Sequence, residues 1–378
     1  MTAERAIRLS PQHQTGATIA NGPGRQDDSR SLPSFDFLSG GRMIAGINFR
    51  ADAAVRAALS AIGRTEDLRF SPDNRLLAIA GYARKRLLVL RIDIEAGPNG
   101  PDVTIHDYME LTSDDMGEIH GLDFIDDRTL AIANRDGVVA IFSLPREEPA
   151  GQSRAISAIR RIKGRRPCKL NSPGSIAVRR ESRGRISLLV CNNYTHLVTQ
   201  HVINRWLGYR ATSNQPLLKH GLDIPDGIAI SGDGQWVAVS SHGTRDVKLY
   251  RMSASLGPDT EPAGVLQHAG YPHGLRFTGD DRHILVADAG SRMMHVYVGD
   301  SGWDGHRTPA RSVIVLDEDT FVRGRASPEE GGPKGLDIDR SNSVVAVTCE
   351  EQTLAFFALP SILGGVKNCR QDGAIASA

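Results

Sequence analysis

Six segments of the chain repeat one pattern: a turn, a short apolar strand, a polar turn and a second apolar strand. The copies begin at Thr65 (TEDLRFSPDNRLLAIA), Ile119 (IHGLDFIDDRTLAIA), Pro173 (PGSIAV, running on to ISLLVC), Pro225 (PDGIAISGDGQWVAVS), Pro272 (PHGLRFTGDDRHILVA) and Pro333 (PKGLDIDRSNSVVAVT). Their equivalent apolar residues, Leu68, Leu122, Ile176, Ile228, Leu275 and Leu336, lie 54, 54, 52, 47 and 61 residues apart. Such spacing suits a four-stranded propeller blade with generous loops. The hairpin segments SPDN, SGDG, TGDD and DRSN offer Asp and Asn side chains that bond to nearby amides, and Gly that permits positive φ. A four-stranded sheet cannot bury both faces alone, whereas radial packing buries both and leaves only short edges. The pattern therefore predicts an all-β fold, a closed six-bladed β-propeller of four-stranded blades.

Fourth strands are expected at residues 103–109, 154–162, 207–219, 264–268 and 311–316. The last copy has no good strand beyond residues 354–359, so residues 42–49 (RMIAGINF) are expected to supply one and close the ring. Residues 53–62 (AAVRAALSAI) predict a short helix. Residues 1–38, rich in Gly, Pro, Ser, Gln and Asp, read as a disordered or loosely attached arm, 39–362 as the propeller and 363–378 as a tail. No stretch reaches membrane-spanning length, and the N-terminus lacks a secretory apolar core. Cys168, Cys191, Cys349 and Cys369 show no metal-binding or disulfide-scaffold spacing, so cytoplasmic residence is expected. A formal net charge of +1 argues against bulk nucleic-acid binding. Arg160, Arg161, Lys163, Arg165 and Arg166 form a basic cluster that suits an anionic partner or a solvated loop face.

In a propeller the innermost strand of each blade starts at a mouth of the central channel. The middle residue of the Pro-x-Gly turn, with its equivalents in the first three copies, then recurs around the axis, reading Glu66, His120, Gly174, Asp226, His273 and Lys334. Five of these six are ionisable. Glu66, Asp226, His120 and His273 offer ligands for a divalent cation: histidine favours zinc or another transition metal, carboxylates alone calcium or magnesium. The alternative is a set of paired charges around a wet channel, with Lys334 meeting Glu66 on the adjoining blade. Three positions further on, Arg69 and Asp123, and Arg276 and Asp337, are expected as ion pairs between blades. Loops on the same face carry Tyr82, Asn134, Arg135, Asn192, Asn193, His242, Asp288, Arg292 and Glu350 as a rim, with Tyr194 and Tyr271 as walls.

The stretch IPDGIAISGDGQWVAVSSHGTRDVKLYRM (residues 224–252) resembles the gluconolactonase and regucalcin-like superfamily of six-bladed propellers, with a weaker likeness to NHL-type repeats. That resemblance implies that Asp226, and by position Glu66, are ligands of a central divalent metal. The superfamily's Asn in the preceding blade is replaced here by Ser172-Pro173-Gly174-Ser175, with Asn192 or Asn193 nearby, and His120 and His273 are additions. NHL-like peptide-amidating lyases place histidines on zinc in a similar ring. The leading expectation is an enzyme acting on a small polar metabolite by metal-dependent lactone or ester hydrolysis, or a related lyase or isomerase step. His120, His273 and Asp226 are its candidate catalytic residues. Lys334, Asn134, Asn193, His242 and Asp288 are candidates for substrate binding. Two alternatives stand beside it: a non-catalytic propeller used as a binding platform, and a metal-free biosynthetic enzyme like the strictosidine-synthase propellers, using His and Glu as acid and base.

Overall fold

Each hairpin forms where its turn chemistry allows. In blades 1, 4 and 5 the hydroxyl of Ser71, Ser231 or Thr278 donates to the carboxylate two residues on, at 2.5–2.6 Å. The same hydroxyl accepts the backbone N–H of Leu76, Trp236 or His283 at 2.9–3.1 Å. Asn74, Gly234, Asp281 and Asn342 take positive φ in the four hairpins read from sequence. Those turns join the inner strands (Thr65–Phe70, Ile119–Asp126, Pro173–Arg180, Pro225–Ile230, Pro272–Phe277 and Pro333–Ile338) to their antiparallel partners.

A computed structural model describes residues 41–165, 168–325 and 327–364. The arm (1–38), Arg166, Cys369 and nearly all of the tail lie outside the described residues. The sheets form a six-bladed β-propeller, with four strands in blades 2 and 3, five in blades 1, 4 and 5, and three in blade 6. Apolar layers fill the spaces between adjacent blades; one joins Leu122, Leu130 and Phe142 of blade 2 to Leu76, Val89 and Leu111 of blade 1. No helix among the described residues is long and apolar enough to cross a membrane.

Two expectations about strands change. Residues 154–162 divide between blades: Gln152–Ala155 lies parallel on the outer edge of blade 1, while Arg160–Ile162 is the fourth strand of blade 2. Residues 42–49 do not form a fourth strand for blade 6. Arg42–Met43 pairs in parallel with Arg311–Ile314 of blade 5, Ile47 N–H donates to Phe356 O of blade 6 at 2.7 Å, and Arg50 bridges Thr104 of blade 1. A segment crossing three blade edges cannot stay in register with one of them. Its apolar residues still pack, with the Phe49 ring edge-on to Phe356 at 5.5 Å between centroids. The helix expected at residues 53–62 is present as Ala53–Ala61, capped by Asp52, whose carboxylate accepts the Val55 N–H at 2.8 Å.

The repeated glycine has a packing cause. A Cβ on Gly227 would stand 2.0 Å from the backbone oxygen of His273, and one on Gly335 would stand 2.8 Å from that of Glu66. Inner strands of neighbouring blades therefore meet backbone to backbone at this level. Gly227→Ala is expected to lower unfolding stability by about 3 kcal/mol, the upper part of the overpacking range, as read by urea denaturation. A midpoint equal to wild type would contradict the close approach.

Candidate functional site

A β-bulge sits at the start of every inner strand. In blade 1, Thr65 pairs with Gly81 and Leu68 with Ile79, so one extra residue is inserted at Glu66–Asp67; the same shift occurs in the other five blades. A bulge re-aims side chains. Together these shifts bring Glu66, His120, Asp226 and His273 to one cluster and bury them, none more than 4% exposed. His120 Nε2 lies 3.6 Å from Glu66 Oε2 and 3.7 Å from Asp226 Oδ1. His273 Nε2 lies 3.5 Å from Glu66 Oε2 and 3.2 Å from Asp226 Oδ2. His242 follows the second strand of blade 4, and its Nε2 lies 3.7 Å from Asp226 Oδ2. Sequence reasoning set His242 on the rim; the structure adds it to the cluster, buried like the others.

Each carboxylate is divided between two tasks. Glu66 Oε1 accepts from Lys334 Nζ at 3.1 Å and also meets Arg64, while Glu66 Oε2 has no hydrogen-bond partner. Asp226 Oδ1 accepts from Asn193 Nδ2 at 3.0 Å and faces Arg135 Nη2 at 3.5 Å, while Asp226 Oδ2 is unpartnered. His242 Nε2 is buried and unpartnered as well. Leaving buried polar atoms unmatched is costly, so three at one place imply something that binds there.

Charge follows the same geometry. Burial lowers His120 well below the ordinary histidine value and takes His242 down to about 4, so both imidazoles are neutral at physiological pH. Burial alone would raise Glu66, but Lys334 foremost, with Arg64 beside it, holds it far below the carboxylate range. Asp226 is likewise held low against burial by its neighbours, His273 foremost and Arg135 among them. Neutral imidazoles beside ionised carboxylates form the protonation state of a metal-ligand set. The atoms of Glu66, His120 and His273, and those of Asp226, His242 and His273, lie within 4.8 Å of one another. Three histidines with two carboxylates suit zinc or another borderline transition ion better than calcium.

Other candidate residues have different surroundings. The Lys334 ammonium is fully enclosed by Glu66, Glu330 (2.7 Å) and Glu350 (3.1 Å), so it holds Glu66 rather than facing a ligand. Asn134 accepts from Gly117 N–H at 3.0 Å and donates to Asp115 O. Asp288 accepts from the N–H groups of Gly270, Tyr271 and Gly290, from Ser291 and from His295 at 2.7–3.1 Å. Both therefore have their polar atoms engaged by their own loops. Asn193 replaces the missing blade-3 side chain: a Cβ on Gly174 would stand 2.8 Å from both Asn193 Oδ1 and Asp226 Oδ1. Asn192 bonds instead to Val190 O, Thr199 and Asn171 N–H. Tyr271 stacks on His242 with centroids 4.0 Å apart, whereas Tyr194 is 70% exposed. Arg276 and Asp337 pair across blades at 3.0 Å, as expected. Arg69 pairs with Asp67 of its own strand instead of Asp123, because residues two apart share a strand face. Sequence reasoning missed Arg64 and Glu330; the position of Arg64 immediately before the first inner strand was its only signal. In the basic cluster, Arg160 donates to Gly208 O and Arg161 pairs with Asp115.

Fold and site define a six-bladed propeller with a buried histidine–carboxylate cluster at the starts of its inner strands. The fold is shared with the gluconolactonase of Xanthomonas campestris at 15% identity and a TM-score of 0.51, covering 84% of this chain and 95% of that one. A luciferin-regenerating enzyme has the same fold at 12% identity and a TM-score of 0.50, covering 78% and 91%. No family model matches the sequence, and no curated protein matches it.

Proposed function

We propose that the protein is a metal-dependent enzyme that hydrolyses a lactone or ester of a small polar metabolite at this channel mouth. The observation that carries the proposal is the convergence of unpartnered Glu66 Oε2, Asp226 Oδ2 and His242 Nε2 with the ring nitrogens of His120 and His273. The fold shared with a gluconolactonase supports the reaction class.

Glu66, Asp226, His120, His242 and His273 would hold the ion. When bound, a transition metal supplies Lewis acidity toward a carbonyl and an acidified water. The chain's own groups set the rest. Lys334 and Arg64 fix Glu66, leaving one oxygen for the ion; Asn193 and Arg135 do the same for Asp226. Arg135 keeps part of its side chain in solvent beside Asp226, where it can meet the developing negative charge of an acyl substrate. Whichever of His120 and His273 is not ligated is placed to move a proton. Tyr271 and Tyr82, near His242 and His120, give the mouth aromatic walls. Cytoplasmic residence, where Cys168, Cys191 and Cys349 remain thiols, belongs to the same reading.

The test is hydrolysis of a panel of aldonolactones and simple esters by protein stripped with chelator and reloaded with zinc, manganese or calcium. We expect lactone turnover that disappears on stripping and returns best with a transition metal. Turnover equal in stripped and reloaded protein would contradict metal dependence, and no turnover with any ion would contradict the reaction class.

A further inference from the structure

A cavity of about 280 Å³ lies at the opposite end of the inner strands, where the hairpin residues Gly232, Gly279 and Asn342 line it. It is about 10 Å along the inner strands from the histidine cluster, three residues of strand rise. The axial ring at this level reads Arg69, Asp123, Ala177, Ala229, Arg276 and Asp337. Its chemistry is lopsided: blades 3 and 4 present only Ala177 and Ala229, leaving room opposite the charged half.

The unused hydrogen-bonding capacity here belongs to donors. Asp123 accepts from the N–H groups of Phe124 and Val178 at 2.9 and 2.7 Å. Asp337 accepts from Phe70 N–H, Arg276 Nε and Arg340 Nη2 at 2.9–3.2 Å. Asp339 is filled by the N–H groups of Ser341, Ser343 and Val344 at 2.7–2.8 Å. The arginines are not filled in this way. Arg69 is 3% exposed, and its only bonds are made by Nη1, to Asp67, Leu68 O and Leu336 O. Arg276 uses Nε and Nη1, the latter on Ile228 O and Leu275 O. Nε and Nη2 of Arg69 and Nη2 of Arg276 meet no protein acceptor among the described residues. A guanidinium this buried needs acceptors for its remaining N–H groups. The other walls, Ile176, Ile228 and Phe277, are apolar.

We propose that this distal cavity binds a small organic acid, its carboxylate on the free donors of Arg69 and Arg276 and its apolar body against Ala177 and Ala229. Planar guanidinium forks suit a carboxylate, and charge-assisted bonds in a buried site are strong. The site is independent of the metal reading, because no residue is shared between the two clusters.

The test is calorimetric titration of the full chain with propionate, propionamide and inorganic phosphate. Arg276→Met removes a donor, and Ala229→Leu fills the cavity without touching the charges. Saturable propionate binding is expected, weakened about tenfold or more by Arg276→Met, the effect of losing one charge-assisted bond, and about as much by Ala229→Leu, which takes the space of the acid's apolar body. Zinc retention is expected to be unchanged in Ala229→Leu, and propionate binding unchanged in Asp226→Ala. If Arg276→Met does not fold, Ala229→Leu decides alone. The proposal is overturned by absence of saturable propionate binding, or by wild-type affinity in Ala229→Leu. It is also overturned by propionamide binding as well as propionate, or by phosphate binding where propionate does not.

Discussion

Asp226→Ala will lose its bound metal while remaining a folded propeller. Asp226 is the centre of the cluster: His242 and His273 lie within 3.7 Å of Oδ2 and His120 lies 3.7 Å from Oδ1, the oxygen that Asn193 and Arg135 hold. Replacing it with alanine removes one ligand oxygen and leaves Arg135 without its nearest carboxylate. The ring itself rests on the apolar layers between blades, none of which includes Asp226. The readout is thermal unfolding with and without zinc. Wild-type protein at about a hundredfold excess over its dissociation constant should gain about 2.7 kcal/mol from zinc, and the variant almost none. Equal zinc stabilisation in both proteins would remove Asp226 from the ligand set.

Lys334→Met will be among the most damaging single substitutions in the chain. The ammonium is wholly buried and joins Glu66, Glu330 and Glu350. Removing one partner of a buried ionic group leaves uncompensated charge and costs about 3–5 kcal/mol. The loss has a pH signature. In wild type, Lys334 is the strongest influence lowering Glu66, so Glu66 contributes stability above the ordinary carboxylate range, lost only as pH falls through its depressed folded value. Without Lys334, burial dominates and the folded Glu66 carboxyl rises, so the variant is least impaired in acid and loses most stability as pH rises toward neutral. A constant stability difference from pH 4 to 8, or one below about 1 kcal/mol, would show that Arg64 alone compensates Glu66.

The blades were legible because six equivalent segments must satisfy the same two-sided burial. The ring position was legible too, since His120, Asp226 and His273 each precede a glycine that has no room for a side chain, and Glu66 holds the equivalent place in the first copy. His242 was harder to assign. It lies outside the repeated register, on the loop after Ser241, and only the bulge that turns Asp226 inward brings the two together. Asn134 and Asp288 misled because a polar residue at a strand end serves its own turn as readily as a ligand, and here the turns had the donors and acceptors within reach. The three-stranded sixth blade was hidden for another reason. RMIAGINF has the composition of a strand, but its partners are set by a path across three blade edges, which local sequence does not encode.

Cobalt(II) titration of metal-stripped protein, followed by visible absorption, tests the central claim most directly. The account predicts saturation at one equivalent, a visible spectrum of low-symmetry nitrogen–oxygen coordination, displacement by zinc, and loss of the spectrum in both Asp226→Ala and His242→Ala. A featureless titration, or a spectrum that survives both substitutions, would contradict a metal centre built on Glu66, Asp226 and the three histidines.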